Sequence, residues 1–179
     1  MQRTLFIAAF ALLAVCGEHL YAQTHAVNPP SVEPISVAQL KSMIARDSGN
    51  VVLVNAWATW CKPCKEEMPG LLKLKRNHAD EPFKLILVSA DDIDEIDTVV
   101  RPMLKSLGVE FPTYIVHDST DDAFITRMNP DWNGALPTSF IYGKEGKLKA
   151  MMTGERSYKQ FEKTIYDLLN ESGHETHSQ

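Results

Sequence analysis

Val51-Val52-Leu53-Val54, followed six residues later by Trp60-Cys61-Lys62-Pro63-Cys64, is the stretch on which the fold turns. The first four residues are an unbroken apolar run, mostly β-branched, as in a strand buried on both faces. Beyond the cysteines, Lys65 to Lys75 reads as a helix. Two cysteines three positions apart are about one helical turn apart, so both sulfurs lie on one face. That spacing suits an intramolecular disulfide, and equally a dithiol that attacks a disulfide elsewhere. The pair sits where a central strand hands over to a helix, which puts Cys61 at the helix amino end. Free N–H groups and the positive end of the dipole favour an anion there, the condition for a thiolate at neutral pH. Pro63 falls in the first helical turn, where its missing N–H costs nothing.

The rest of the chain narrows the setting. A length of 179 residues and 44% apolar content fit one domain with a sizeable core. A net charge of -5 gives no basic footprint and argues against nucleic acid as a partner. Residues 1–22 read as a cleavable secretory signal: Arg3, an apolar run from Leu5 to Val15, and Ala22 at the cut. The run is short for a bilayer span. An uncleaved membrane anchor or a buried N-terminal helix is the alternative. Leu13-Ala14-Val15-Cys16 would be a lipid-anchor site, but Val15 stands where a small residue is wanted. Cleavage after Ala22 removes Cys16 and leaves Cys61 and Cys64 as the remaining cysteines. Export implies a periplasmic or otherwise oxidising compartment. With no third cysteine to build a framework, the pair reads as redox-active rather than as a staple. The competing readings are a structural disulfide and half of a metal site.

Residues 23–34, with Pro29, Pro30 and Pro34, read as a linker or extended arm, residues 35–170 as the folded domain, and 171–179 as a polar tail. Ser36 with Gln39, and Ser157 with Gln160, are capping boxes that open helices to about Arg46 and about Asn170. Strands are predicted over 51–56, 84–89, 112–117, 138–142 and 147–152, the last two joined by a glycine turn at Gly143 to Gly146. Asp92 with Glu95 predicts a capped helix to Leu107, kinked or starting late near Arg101 because of Pro102; Asp121 to Met128 predicts a short helix. Pro69 should kink the motif helix. Strands alternating with helices, then a hairpin and a last helix, predict an α/β fold with a mixed sheet covered on both faces. A strand leading into C-x-x-C in this pattern is a general thioredoxin-like signal.

The segment from Asn55 through Trp57-Ala58-Thr59-Trp60-Cys61-Lys62-Pro63-Cys64 to Glu67-Met68-Pro69 resembles the active-site block of the TlpA/ResA-like thiol-disulfide oxidoreductases. These are exported members of the thioredoxin superfamily. Gly108-Val109-Glu110-Phe111-Pro112, Leu136-Pro137-Thr138-Ser139-Phe140-Ile141 and Thr153-Gly154 extend the resemblance over Val32 to Leu169. It implies a thioredoxin-like mixed sheet in which Cys61 is the nucleophile and Cys64 the resolving thiol. It matches Glu67 to a glutamate that relays the resolving thiol's proton, while Asn55 stands where thioredoxin itself carries a buried acid. It makes Leu136–Pro137 a cis turn facing Cys61, with Leu136 offering backbone groups to an extended substrate segment and Trp60 forming a rim. The implied cofactor is none beyond the Cys61–Cys64 pair, and no metal. The implied partners are thiols and disulfides of exported proteins, such as apocytochrome c before haem attachment, with electrons from a membrane thiol carrier. A monomer is expected. A disulfide oxidase of the same fold, a copper-binding thiol chaperone and a peroxidase are the rivals.

Several features stand outside this scheme. The acidic run Asp91 to Asp97 reads as helix caps and a solvated face rather than a cation site. Trp132 to Gly134 reads as packing. His78 and His117 show no partner, and His174 and His177 fall in the tail.

Overall fold

The structure is a computed structural model, in which residues 30–117 and 121–171 are described. The predicted signal, most of the arm, and the tail histidines lie outside those residues. In chain order the elements are β1 (Val32–Ile35), α1 (Val37–Arg46), β2 (Val51–Trp57), α2 (Lys62–Asn77) and β3 (Phe83–Ser89). A 3-10 turn (Ile93–Glu95), a π-helical segment (Ile96–Val100) and α3 (Arg101–Ser106) follow, then β4 (Thr113–Val116), α4 (Asp121–Met128), β5 (Thr138–Tyr142), β6 (Leu148–Thr153) and α5 (Tyr158–Asn170).

The six strands form one mixed sheet in the order β1-β4-β3-β2-β5-β6. β1, β4, β3 and β2 run parallel, and β5 and β6 close the other side antiparallel. β2 lies inside the sheet and is buried along its whole length. Its side chains alternate between two cores, as a strand's period of two requires. Val51, Leu53 and Trp57 pack with Met68 and Leu71 of α2 and Phe161 and Ile165 of α5; Val52, Val54 and Ala56 pack with Leu40 and Ile44 of α1 and Phe124 of α4. The helices therefore cover both faces. Asn55, in step with Leu53 and Trp57, is turned toward α2 by the same alternation.

The helix starts follow the local signals. At α1 the Gln39 N–H donates to Ser36 Oγ at 3.3 Å and the Ser36 N–H donates to Gln39 Oε1 at 2.9 Å. At α5 the Ser157 N–H donates to Gln160 Oε1 at 2.9 Å. α2 begins with Pro63 in its first turn and continues through Pro69.

Two expectations need correction. The segment read as an arm over 23–34 ends in a sheet strand: Val32 and Ile35 of β1 are buried and Glu33 and Pro34 are exposed. A proline is tolerated there because β1 is an edge strand. Asp92 makes no capping bond, and the stretch to Leu107 is three short pieces rather than one helix, with the late start near Arg101 that Pro102 implied. Pro102 has no N–H to give to the carbonyl four residues back, so regular α-helix begins only at Arg101 and a wider π turn fills the gap.

Candidate active site

β2 ends at Trp57, and the chain then makes a tight turn in which the Cys61 N–H donates to the Ala58 carbonyl at 3.2 Å. Cys61 is the N-cap of α2, with extended backbone, and the Cys64 N–H donates to its Sγ at 3.2 Å. Cys61 and Cys64 are joined as a disulfide, with Cα atoms 5.3 Å apart. Cys64 is fully buried and Cys61 is 5% exposed, so Cys61 is the sulfur nearer solvent. The preceding Trp60 is the opposite case, with 67% of its surface open.

The Leu136–Pro137 peptide bond is cis. Thr138 pairs with Ala56, which places Pro137 across from the end of β2, beside the start of the cysteine turn. Pro137 is buried, and its carbonyl accepts the Gly154 N–H at 2.8 Å. Leu136 packs against the core that holds both cysteines. Leu136 and Trp60 also share the walls of a cavity of about 320 Å³ with Phe124, Ile125 and Trp132. Trp132 is fixed there edge-on between Phe124 and Phe140, and its Nε1–H donates to the Ala135 carbonyl at 3.1 Å.

Glu67 lies one turn beyond Cys64 on α2 and is only 3% exposed. Asn55 Nδ2 donates to its Oε1 at 2.7 Å, and the Arg156 N–H donates to its Oε2 at 3.0 Å. Asn55 Nδ2 also reaches Ser139 Oγ at 3.0 Å. Burial pushes the Glu67 carboxyl up to about 7, because the two hydrogen bonds that favour its charge do not make up for lost solvent. Among the described residues, Asn55 Oδ1 and Trp57 Nε1 are buried side-chain atoms with no hydrogen-bond partner. The arrangement can hold a proton near neutral pH beside a buried sulfur.

The structure thus gathers Trp60, Cys61, Pro63, Cys64, Glu67, Leu136 and Pro137 around the junction of β2 and α2. Ser139 and Arg156 were not foreseen. Ser139 was legible in principle, since register sets it opposite Asn55. Arg156 makes its hydrogen bond through its backbone N–H, which no residue type announces. Asp91 was misread: it is buried rather than solvated, and takes hydrogen bonds from Thr59 and Ser89. His78 was also misread. Its two ring nitrogens each stand 3.0 Å from a carboxylate, of Glu81 and of Glu162. Among the described residues, no three His, Cys, Asp or Glu side chains are grouped to hold a metal ion. Nor is any described helix long and apolar enough to cross a membrane.

A disulfide capping the helix that follows a central parallel strand, with a cis-proline across from that strand's end, defines a thioredoxin-like protein. Its fold matches a thiol:disulfide interchange protein of the thioredoxin family from Chlorobium tepidum TLS, with TM-score 0.59 and 25% identity over 70% of this chain and 83% of that one. The chain belongs to the AhpC/TSA family, whose family model matches residues 30–151. It is similar to the thiol-disulfide oxidoreductase ResA of Bacillus thuringiensis, 33% identical over 64% of this chain and 61% of the relative's length. ResA of Bacillus subtilis is 28% identical over 93% of this chain and 82% of the relative. The TlpA/ResA-like resemblance read from the motif block is therefore met by relatives along most of the domain.

Proposed function

We propose that this chain is an exported thiol-disulfide oxidoreductase that reduces disulfides in other exported proteins. The observation that carries this reading is the Cys61–Cys64 bond at the head of α2, with Cys61 nearer solvent and Cys64 buried above Glu67. In the reduced protein, the Cys61 thiolate attacks one sulfur of a partner disulfide and expels the other as a thiolate, which takes up a proton. The Cys64 thiol gives its proton to Glu67 and attacks Cys61 Sγ, expelling the partner's first sulfur. Two electrons pass to the partner, and Cys61–Cys64 is left oxidised. The Cys64 N–H, already 3.2 Å from Cys61 Sγ, and the helix dipole stabilise the Cys61 thiolate between turnovers.

Trp60, the residue before Cys61, and Leu136, the residue before Pro137, both border the cavity; an extended client segment lies against that edge, taking backbone hydrogen bonds from Leu136. The client class is apocytochrome c before haem attachment and the electron source a membrane thiol carrier, as the TlpA/ResA-like motif block implies. The protein works as a monomer, needs no cofactor beyond its own cysteine pair, and reaches the oxidising compartment by the signal at its amino end.

Replacing Cys64 by Ala leaves Cys61 unable to finish the exchange, so a mixed disulfide with the client accumulates. Replacing Cys61 by Ser abolishes both exchange and trapping. Insulin reduction by the wild-type chain, with a pair potential well below the roughly -120 mV of a strong periplasmic oxidant, supports a reductant. A potential near that value makes the protein an oxidase, and absence of any trapped adduct removes the exchange reading.

A further inference from the structure

Asp91 is a buried carboxylate, 5% exposed, that the exchange chemistry does not use. Its side chain only accepts. The Thr59 N–H lies 3.1 and 3.0 Å from its two oxygens, the Thr59 hydroxyl donates to Oδ1 at 2.6 Å, and the Ser89 hydroxyl donates to Oδ2. Its backbone N–H donates to Ser89 Oγ at 3.0 Å. An all-donor surrounding is what an ionised carboxylate takes. Thr59 is the second residue of the turn closed by the Cys61 N–H on the Ala58 carbonyl. Its own N–H finds no acceptor inside such a turn and needs one from outside. Asp91 supplies it, tying the turn to the end of β3, next to the bond from the Ala90 N–H to the Trp57 carbonyl at 2.8 Å. One residue beyond Thr59 is the exposed Trp60; two beyond is the sulfur.

The geometry points to Asp91 as a positioning residue for Cys61: it clamps the turn that presents the sulfur and sets a fixed negative charge against that turn. The inference rests on Cys61 being the attacking sulfur. A nearby anion disfavours the thiolate and so opposes the helix dipole. The other charged groups around the pair are differently placed. On α2, Lys62 pairs with Glu66 at 3.5 Å, Lys65 is exposed, and Glu67 is held by Asn55 and the Arg156 N–H. After β3, Asp92 is exposed; at the end of β4, His117 lines the cavity; before α5, the Arg156 guanidinium donates to the Glu155 carbonyl. The Leu136–Pro137 turn carries no charge.

Asp91→Asn separates charge from clamp. The amide oxygen keeps both Thr59 donors, and the amide nitrogen donates to Ser89 Oγ once that hydroxyl turns. The test is made in the full chain carrying Cys64→Ala, so that Cys61 titrates without its partner; the Cys16 contribution is common to both proteins and cancels. Thiolate ultraviolet absorbance is followed against pH, with a thermal melt of each protein. D91N is expected to melt like its parent and to hold at least about threefold more Cys61 thiolate at any pH below the midpoint. Thr59→Val, in the chain with both active cysteines, keeps the charge and removes the 2.6 Å bond. It should slow insulin reduction by about threefold or more, while moving the Cys61 thiolate fraction by less than about twofold. An unchanged titration in folded D91N, or a wild-type rate with T59V, overturns the proposal. Should D91N fail to fold, the T59V rate alone decides. A wild-type chain that cannot reduce insulin counts against the exchange reading itself, and the D91N titration, which needs no client, still judges Asp91.

Discussion

Glu67 is a carboxylate whose ordinary value of 4.5 is raised to about 7 by loss of solvent. Ionising it in the folded chain therefore costs about 3 kcal/mol more than in the unfolded chain. The sign follows from proton binding. The folded state holds the proton more tightly, so this contribution to stability is complete below about pH 4.5 and is lost as pH rises through about 7. Oxidised wild-type protein should lose unfolding free energy over that window, and the Glu67→Gln protein should lose less; parallel denaturant curves for the two from about pH 5 to about pH 9 would count against the raised value. The same residue should govern the rate. A group half-ionised near neutral pH is suited to take the Cys64 proton and return it. In E67Q, decay of a preformed mixed disulfide should slow by about tenfold or more and lose its pH dependence near 7. Stopped-flow decay profiles that coincide for the two proteins remove Glu67 from the chemistry. The motif supplied the position of Glu67. Its environment came from elsewhere in the chain, from Asn55 twelve residues back and Arg156 eighty-nine residues on.

At the scale of elements, the end of α2 is fastened to α5 through His78. Burial alone would lower the imidazole's pKa, but hydrogen bonds to Glu162 and Glu81 outweigh it and hold the value above 6.5. Only the imidazolium can donate from both ring nitrogens at once. The stabilisation is therefore complete below about pH 6.5 and is lost as pH climbs through the raised value. His78→Gln should cost about 1–2 kcal/mol in mildly acidic solution, since both carboxylates are partly open to solvent and screened. The deficit should shrink in alkaline solution; one that stays constant from about pH 5.5 to about pH 9 argues that the loss is packing alone. The sequence could suggest Glu81, three residues along, but Glu162 lies on another helix and meets His78 only after α5 has docked. The break in the predicted helix after Asp92 has the opposite origin. Pro102 was visible, and its consequence, regular helix only from Arg101, followed from the missing N–H.

For the molecule as a whole, period and punctuation carried the central architecture. The apolar run of β2, the two serine-glutamine caps and the glycine turn before β6 each state their structure locally. Edge strand β1 does not, because residues 32–35 hold only Val32 and Ile35 as buried side chains and carry Pro34 between them. It becomes a strand through its parallel register with β4, and β4 in turn meets β3 at only two register pairs, Val88 with Tyr114 and Ser89 with Ile115. The β4 edge thus depends on β1 more than the core strands do. Arg101 adds a tie, donating to the Pro30 carbonyl at 2.8 Å. A chain beginning at residue 30 keeps β1 and this tie, whereas one beginning at residue 36 loses the burial of Val32 and Ile35, about 3–5 kcal/mol. Such a loss is a large share of a domain's usual margin and should lower the melting temperature by about 10 °C or more. The shorter chain also bares the unpaired backbone of β4 and should aggregate on heating. Equal melting of the two truncated chains would mean that β1 is a passive arm and that β4 holds its place without it.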